Sequence, residues 1–248
     1  MTKTFHELRK TLNGVGWFIP PYVRLDFLHR VGVALDGDDP SNQMRLSAFL
    51  AVAYSPTHLA AMVCSRYAET PYVRDYRDII AEAVEAHFFG LGHVAFSGLA
   101  PVIEGVAKKL TLSRSMEVAG LGMGTIISNL AMDCKAEVSD RRIGSEDELI
   151  TMIDSFVVFA QSYFYVNSSS YPLDDNTNRH GPLHGSYSDD DYGDAVNFYK
   201  VISAVDFLCM IAAFRARVSW LAPTPTPESQ KLAAFYIAAH GLRGACPR

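Results

Sequence analysis

Apolar residues in this 248-residue chain recur at spacings of three and four, and strict alternation of apolar with polar residues is almost absent. A period near 3.6 lines such residues along one stripe of a helix, whereas a half-buried strand needs a period of two. The pattern predicts an all-α fold, with well over half the residues helical and no sheet of more than two short strands. An apolar fraction of 49% with 20% charged residues is enough for a large core and argues against long disordered segments. The length suits one large or two small domains.

Proline, glycine and capping residues set the expected order of helices. In residues 1–70, Pro20-Pro21 closes a short helix begun at Phe5, and a second covers roughly 23–35. Asp36-Gly37-Asp38-Asp39-Pro40-Ser41 is a turn, Asn42 caps a third helix reaching Tyr54, and Pro56-Thr57 opens a fourth through Tyr67. No Gly-rich nucleotide loop or other chemical motif lies in this part, which reads as an N-terminal accessory helical layer. Residues 71–248 form the main bundle. There Tyr76, Ile80, Ala83 and His87 share a face, Gly90-Leu91-Gly92 breaks the chain, and Phe96, Leu99, Ile103, Val106 and Leu110 form a second stripe, giving a hairpin with Pro101 placed to kink it. A third helix is expected over 115–137, softened by Gly120, Gly122 and Gly124. Ser145-Glu146-Asp147-Glu148 reads as a capping box for a helix from Glu146 to about Val166. Further helices are expected from Asp194 to Trp220 and from Pro227 to His240, with Gly244–Arg248 fraying.

The formal net charge of −5 offers no surface-wide attraction for nucleic acid, so any RNA contact has to be local. Cys64, Cys134, Cys209 and Cys246 lie far apart without CxxC spacing, and the first three stand in apolar helical runs as buried free thiols. The first residues lack the apolar core of a signal peptide, and charges interrupt the apolar runs before they span a bilayer. The expected compartment is the cytoplasm, with no membrane partner.

Residues 167–193 break the helical rhythm with a polar segment rich in Ser, Asn, Asp and Gly. Loops this long in a compact domain are uncommon and tend to be functional. Within it, Asn178-Arg179-His180-Gly181-Pro182-Leu183-His184-Gly185 gathers an amide, a guanidinium and two imidazoles. Only histidine titrates near neutral pH, and the rigid fork of arginine fits phosphate oxygens. The same composition also suits a plain turn between helices. Arg179 and His184 can converge on one phosphate, accept a proton from a ribose 2′-hydroxyl and stabilise the phosphorane that follows, without a metal. Pro182 fits the first turn of a helix, so the motif straddles a helix start.

Other residues carry two readings each. Glu104 is either a rim carboxylate paired with Lys108 or the group that orients Arg179 or a histidine. Asp206, flanked by Val205, Phe207 and Leu208, needs a partner if buried, and Arg179 or a histidine is the candidate. His87 and His93 lie on apolar helices as core or edge residues. Tyr163, Tyr165, Tyr171 and Tyr187 flank the loop, where they stack bases or simply pack. His180 and His184 have metal-ligand spacing only in a true helix, which Gly181-Pro182 opposes. Asp174, Asp175, Asp189, Asp190 and Asp191 read as solvated surface, and neither metal nor cofactor is expected.

Asn178-Arg179-His180 followed by Leu183-His184-Gly185 and a long helix resembles the R-x4-6-H signature of HEPN domains. The upstream hairpin with Pro101-Val102-Ile103-Glu104-Gly105 is similar to the acidic second helix of many members. The resemblance covers about residues 72–222. It implies an α-helical bundle, often dimeric, in which two copies of the motif face each other. Many members are metal-independent ribonucleases of toxin–antitoxin or anti-phage systems, and others have lost catalysis and serve as binding modules. On this resemblance Arg179 binds the scissile phosphate and His184 is general base or acid, with His180 and Asn178 assisting and Glu104 in support. The partners it implies are single-stranded RNA, a second copy of the chain, and an antitoxin or other regulatory protein. The alternative is a non-catalytic HEPN-type module that binds RNA, nucleotide or protein.

Overall fold

The structure is a computed structural model that describes residues 3–35, 37 and 39–243. It is 68% helical with no strand among the described residues, as the three-four spacing predicts. Helices α1 (Phe5–Gly14), α2 (Leu25–Ala34), α3 (Asn42–Ala53) and α4 (Pro56–Ala61) come first, and α4 runs through a π turn at Met62–Arg66 into α5 (Tyr67–Glu69). Next are α6 (Arg77–Phe88), α7 (Gly92–Ser113), α8 (Met123–Arg141) and α9 (Glu146–Phe159), the last ending in a second π turn at Ala160–Phe164. The one-turn α10 (His180–Leu183) interrupts the long connection to α11 (Ala195–Ala213), and α12 (Pro227–Arg243) closes the described chain.

The bundle is built around α11. All its residues from Val196 to Ala213 are buried, including Lys200 and Asp206. Its length and mean hydropathy of 1.5 would let it cross a membrane, which the sequence was not expected to offer, yet 94% of it is buried inside the protein. A helix apolar all round belongs at the centre of a bundle, because no face prefers water. The α6–α7 hairpin packs along one side of α11, α3 lies on another, and α8 and α9 pair with α1 seated on α9. Phe18, from the segment after α1, sits edge-on to Phe156 at 5.2 Å and to Phe207 at 5.8 Å, and those two rings stack at 4.1 Å. Residues from Leu8 to Ala239 therefore contribute to one apolar cluster.

Several local expectations are corrected. The helix expected from residue 115 begins only at Met123, because Ser115 and Gly120 hold φ of 60° and 71°, which a right-handed helix cannot contain. Helix α11 stops at Ala213, not Trp220: Arg215 turns away to donate from Nε to both Glu137 oxygens at 2.9 and 3.0 Å, and Trp220 stacks on Phe214 at 5.0 Å. Ser145 occupies the cap position of α9 without a side-chain bond, and the Glu146 carboxylate instead accepts from Ser139 Oγ. Asn42 lies inside α3 after Ser41 and donates to the Gly37 carbonyl at 3.0 Å. Cys134 and Cys209 are buried as expected, but Cys64 is exposed on the π turn. Cys246 and the fraying expected over residues 244–248 lie outside the described residues, as do Asp36 and Asp38 of the predicted turn.

Asp206 is fully buried, but its partner is neither Arg179 nor a histidine. Tyr67 of α5 donates its hydroxyl to Oδ1 at 2.7 Å, and Oδ2 has no hydrogen bond among the described residues. Burial pushes this carboxyl up to about 8, against the pull of the Tyr67 hydroxyl and the Arg66 guanidinium. An unfolded chain releases the same proton near the ordinary value of about 3.9. The folded state is thus the better proton binder between those values, so the carboxyl's share of stability is complete below about pH 4 and is lost as pH rises through about 8. Asp206→Asn should gain stability relative to the native chain as pH is raised from about 5 to about 8, with no further gain above that. Urea unfolding across this range measures it, and a difference independent of pH would contradict it.

Candidate active site

The loop that carries the Arg-His motif is tied to α11 on both sides. Lys200 is wholly buried, and Nζ donates to Asp175 Oδ2 at 2.8 Å, the Val15 carbonyl at 3.0 Å and Gln43 Oε1 at 3.1 Å. A buried ammonium is tolerated only when its three donors are all taken, and here they are. Burial lowers the pKa of Lys200 and the Asp175 carboxylate opposes that shift. Asp175 also accepts from the hydroxyls of Tyr171 and Thr177. One turn earlier on α11, Asn197 donates to the Asp175 carbonyl and to Thr177 Oγ1, and its Oδ1 accepts the Gly193 N–H at 2.9 Å. Residues 175–177 before the motif and 193 after it are thereby fixed to the same helix face. Of the aspartates read as surface, Asp174, Asp189 and Asp190 are exposed and Asp191 accepts from Ser188. Asp175 is the exception, buried by its ion pair.

Asn178 docks the motif itself. Its Nδ2 donates to the carbonyls of Tyr163 at 3.1 Å and Val166 at 2.7 Å, and its Oδ1 accepts the N–H groups of His180 at 2.8 Å and Gly181 at 3.0 Å. One amide thus satisfies carbonyls left open at the π turn after α9 and N–H groups left open at the start of α10. The Arg179 N–H adds a bond to the Phe164 carbonyl at 2.8 Å. Asn178 has no exposed surface, so its part in the site is to hold the turn, not to meet a ligand. As the sequence predicts, the motif straddles a helix start: Arg179 precedes α10 and His184 follows it. Gly181 is buried against the Tyr187 ring, where a Cβ would lie 2.0 Å from a ring carbon.

This one turn brings Arg179, His180, His184 and the distant Glu104 together. Arg179 Nη1 lies 3.3 Å from His180 Nδ1 and 3.2 Å from His184 Nε2, and the two imidazoles stack at 5.5 Å with 11° between their planes. Glu104 Oε1 is 2.6 Å from Arg179 Nε, close enough for a strong ion pair but without the alignment of a hydrogen bond. Its other oxygen is 4.0 Å from Lys108 Nζ, so the carboxylate faces both Arg179 and Lys108. Burial, then Arg179 and His184, lower the pKa of His180, and the Tyr165 backbone opposes that shift. Beside the imidazoles lies a cavity of about 440 Å³ lined by Tyr165, Asn167, Ser168, His180, His184 and Ser186. Among the described residues no three His, Cys, Asp or Glu side chains are placed to hold a metal ion.

The other candidates are structural. His87 stacks on Phe198 at 4.0 Å and meets the Tyr199 hydroxyl, and His93 bonds to the Asp189 carbonyl. Tyr163 donates to the Asn13 carbonyl, Tyr171 to Asp175 and Tyr187 to the Ser168 carbonyl, which leaves Tyr165 as the one flanking tyrosine in the cavity wall. Lys200 and Asn197 went unrecognised in the sequence, although an Asn and a Lys three apart in an apolar helix were a visible signal. Compared with known protein families, with curated proteins and with solved structures, the chain shows no match.

Removing one member of a buried ion pair leaves the other uncompensated, at a cost of about 3–5 kcal/mol. Lys200→Met should therefore destabilise the protein by about that much and speed proteolysis within residues 167–193. Lys200→Met combined with Asp175→Leu should recover part of the loss. Equal damage from the single and the double change, by denaturant unfolding, would show that the pair does not hold the loop.

Proposed function

We propose that the chain is a HEPN-like, metal-independent endoribonuclease of the cytoplasm that cuts single-stranded RNA as a homodimer, in a toxin–antitoxin or anti-phage system with an antitoxin or similar regulator. The observation that carries this reading is a single guanidinium in contact with two imidazoles and a carboxylate, at the edge of a polar cavity. Arg179 binds a non-bridging oxygen of the scissile phosphate and stabilises the charge that gathers there. His184, exposed and held from one ring nitrogen only, is the base that removes the 2′-hydroxyl proton or, once protonated, the acid. The 2′-oxygen bonds to phosphorus, the bond from phosphorus to the 5′-oxygen breaks, and the leaving oxygen takes a proton. The products are a 2′,3′-cyclic phosphate and a 5′-hydroxyl end. His180 has Arg179 on one ring nitrogen and is less exposed than His184, which favours it as a positioning residue.

A second reading is a non-catalytic HEPN-type module that binds RNA, nucleotide or protein. It is favoured by the same guanidinium, which in the free protein is already engaged by Glu104 and both histidines.

Under the nuclease reading, His184→Ala should lower cleavage of single-stranded RNA by about 10² to 10⁴ while leaving RNA binding nearly intact. Arg179→Ala should be similarly damaging, and Arg179→Lys should recover little because a point charge does not replace the fork. The two losses should not add, since residues that act as a unit lose most of their effect together. Activity should persist in EDTA, and light scattering at tens of micromolar should give a dimer. Binding without cleavage under every condition, unchanged in the His184 and Arg179 variants, would replace this reading with the second.

A further inference from the structure

The cavity beside the imidazoles has one wall whose hydrogen-bonding polarity is fixed before any ligand arrives, and Asn167 supplies it. Its Oδ1 accepts the Ser169 N–H at 3.1 Å and the Ser169 hydroxyl at 3.0 Å, and its backbone carbonyl accepts the Ser170 N–H at 2.9 Å. A backbone N–H can only donate, so the atom facing Ser169 is the amide oxygen and the amide has one possible orientation. Both acceptors of Asn167 are therefore taken. The neighbouring Ser168 carbonyl is taken as well, by the Tyr187 hydroxyl and the Tyr171 N–H, each at 3.4 Å. What the exposed Asn167 side chain has left to offer is Nδ2, with two N–H donors and no partner among the described residues. The hydroxyls of Ser168 and Ser186 in the same lining either donate or accept, so they adapt to a ligand of either polarity. Tyr165 adds an aromatic ring of the kind on which unstacked bases lie.

His184 lines this cavity and is also the group that acts on the 2′-hydroxyl, so a base within reach of Asn167 belongs to the nucleotide that carries that hydroxyl. Uracil and guanine present a carbonyl oxygen where cytosine and adenine present an amino group. A fixed donor pairs with the first and sets donor against donor with the second. We infer that Asn167 is a specificity-determining residue that selects uracil or guanine on the 5′ side of the scissile phosphate, an inference that rests on the nuclease reading given above. The test maps cuts in an all-ribose single strand in which every dinucleotide step occurs equally often. The native chain should cut after uridine about tenfold faster than after cytidine, and after guanosine faster than after adenosine by a similar factor. Asn167→Ala should bring both ratios to within about twofold of unity, because the donor is gone. Asn167→Asp keeps an oxygen for Ser169 and replaces the donor with an acceptor, so it should reverse both ratios. The native measurement does not depend on a variant folding: equal cutting after all four bases, or a preference for cytidine or adenosine, overturns this inference and leaves the nuclease reading standing. A native preference that persists in either variant does the same. Native protein that leaves the strand uncut overturns the nuclease reading and this inference together.

Discussion

The ammonium of Lys200, with no exposure to water, is the constraint on which the rest of the structure depends. Its three donors reach an acceptor after α1, one in α3 and one in the long loop, so three separate stretches must meet at one point of α11. A buried ion pair adds little net stability compared with apolar residues of similar volume. Its effect here is on register. Slipping the loop by one residue would remove the carboxylate from the ammonium and leave both uncompensated, and the bonds of Asn197 to residues 175, 177 and 193 repeat the same restriction one turn away. The first seventy residues carry no chemical group of the site, yet the Val15 carbonyl and the Gln43 amide oxygen complete the cage that fixes the loop.

The π turn at Ala160–Phe164 does for the motif what Lys200 does for the loop. A π turn leaves backbone carbonyls without their usual helical donors, and such turns recur at functional sites. Here the carbonyls of Tyr163, Phe164 and Val166 receive the Asn178 amide and the Arg179 N–H. The irregular end of α9 is thus a socket for the start of α10. The same irregularity brings Tyr165 into the cavity wall, directly after the π turn ends.

Periodicity made the helices legible, because it records burial along one face, and all the long helices lie where apolar stripes were found. Boundaries were less legible where they depend on a distant group: α11 ends at Ala213 because Arg215 finds Glu137, 78 residues away in sequence, and nothing local marks that stop. The Arg179–His184 pair was readable because its members are close in sequence and converge in a single turn. Glu104 was readable only through a family resemblance, since its contact joins the middle of α7 to the turn before α10, far away in the sequence. The partner of Asp206 was misread because its burial could be inferred but the tyrosine facing it, 139 residues earlier, could not. Lys200 was missed although a lysine amid apolar neighbours cannot be buried without an acceptor, and a search for that acceptor would have turned to the aspartates of the loop.

The protonation state of the histidines follows from counting donors. A guanidinium nitrogen has N–H groups and no lone pair to offer, so His180 Nδ1 and His184 Nε2 must both be acceptors where they face Arg179 Nη1. For that reason a proton gained at either facing nitrogen would place two positive charges within 3.3 Å and break the contact. The arrangement therefore belongs to neutral imidazoles, in agreement with the lowered pKa of His180.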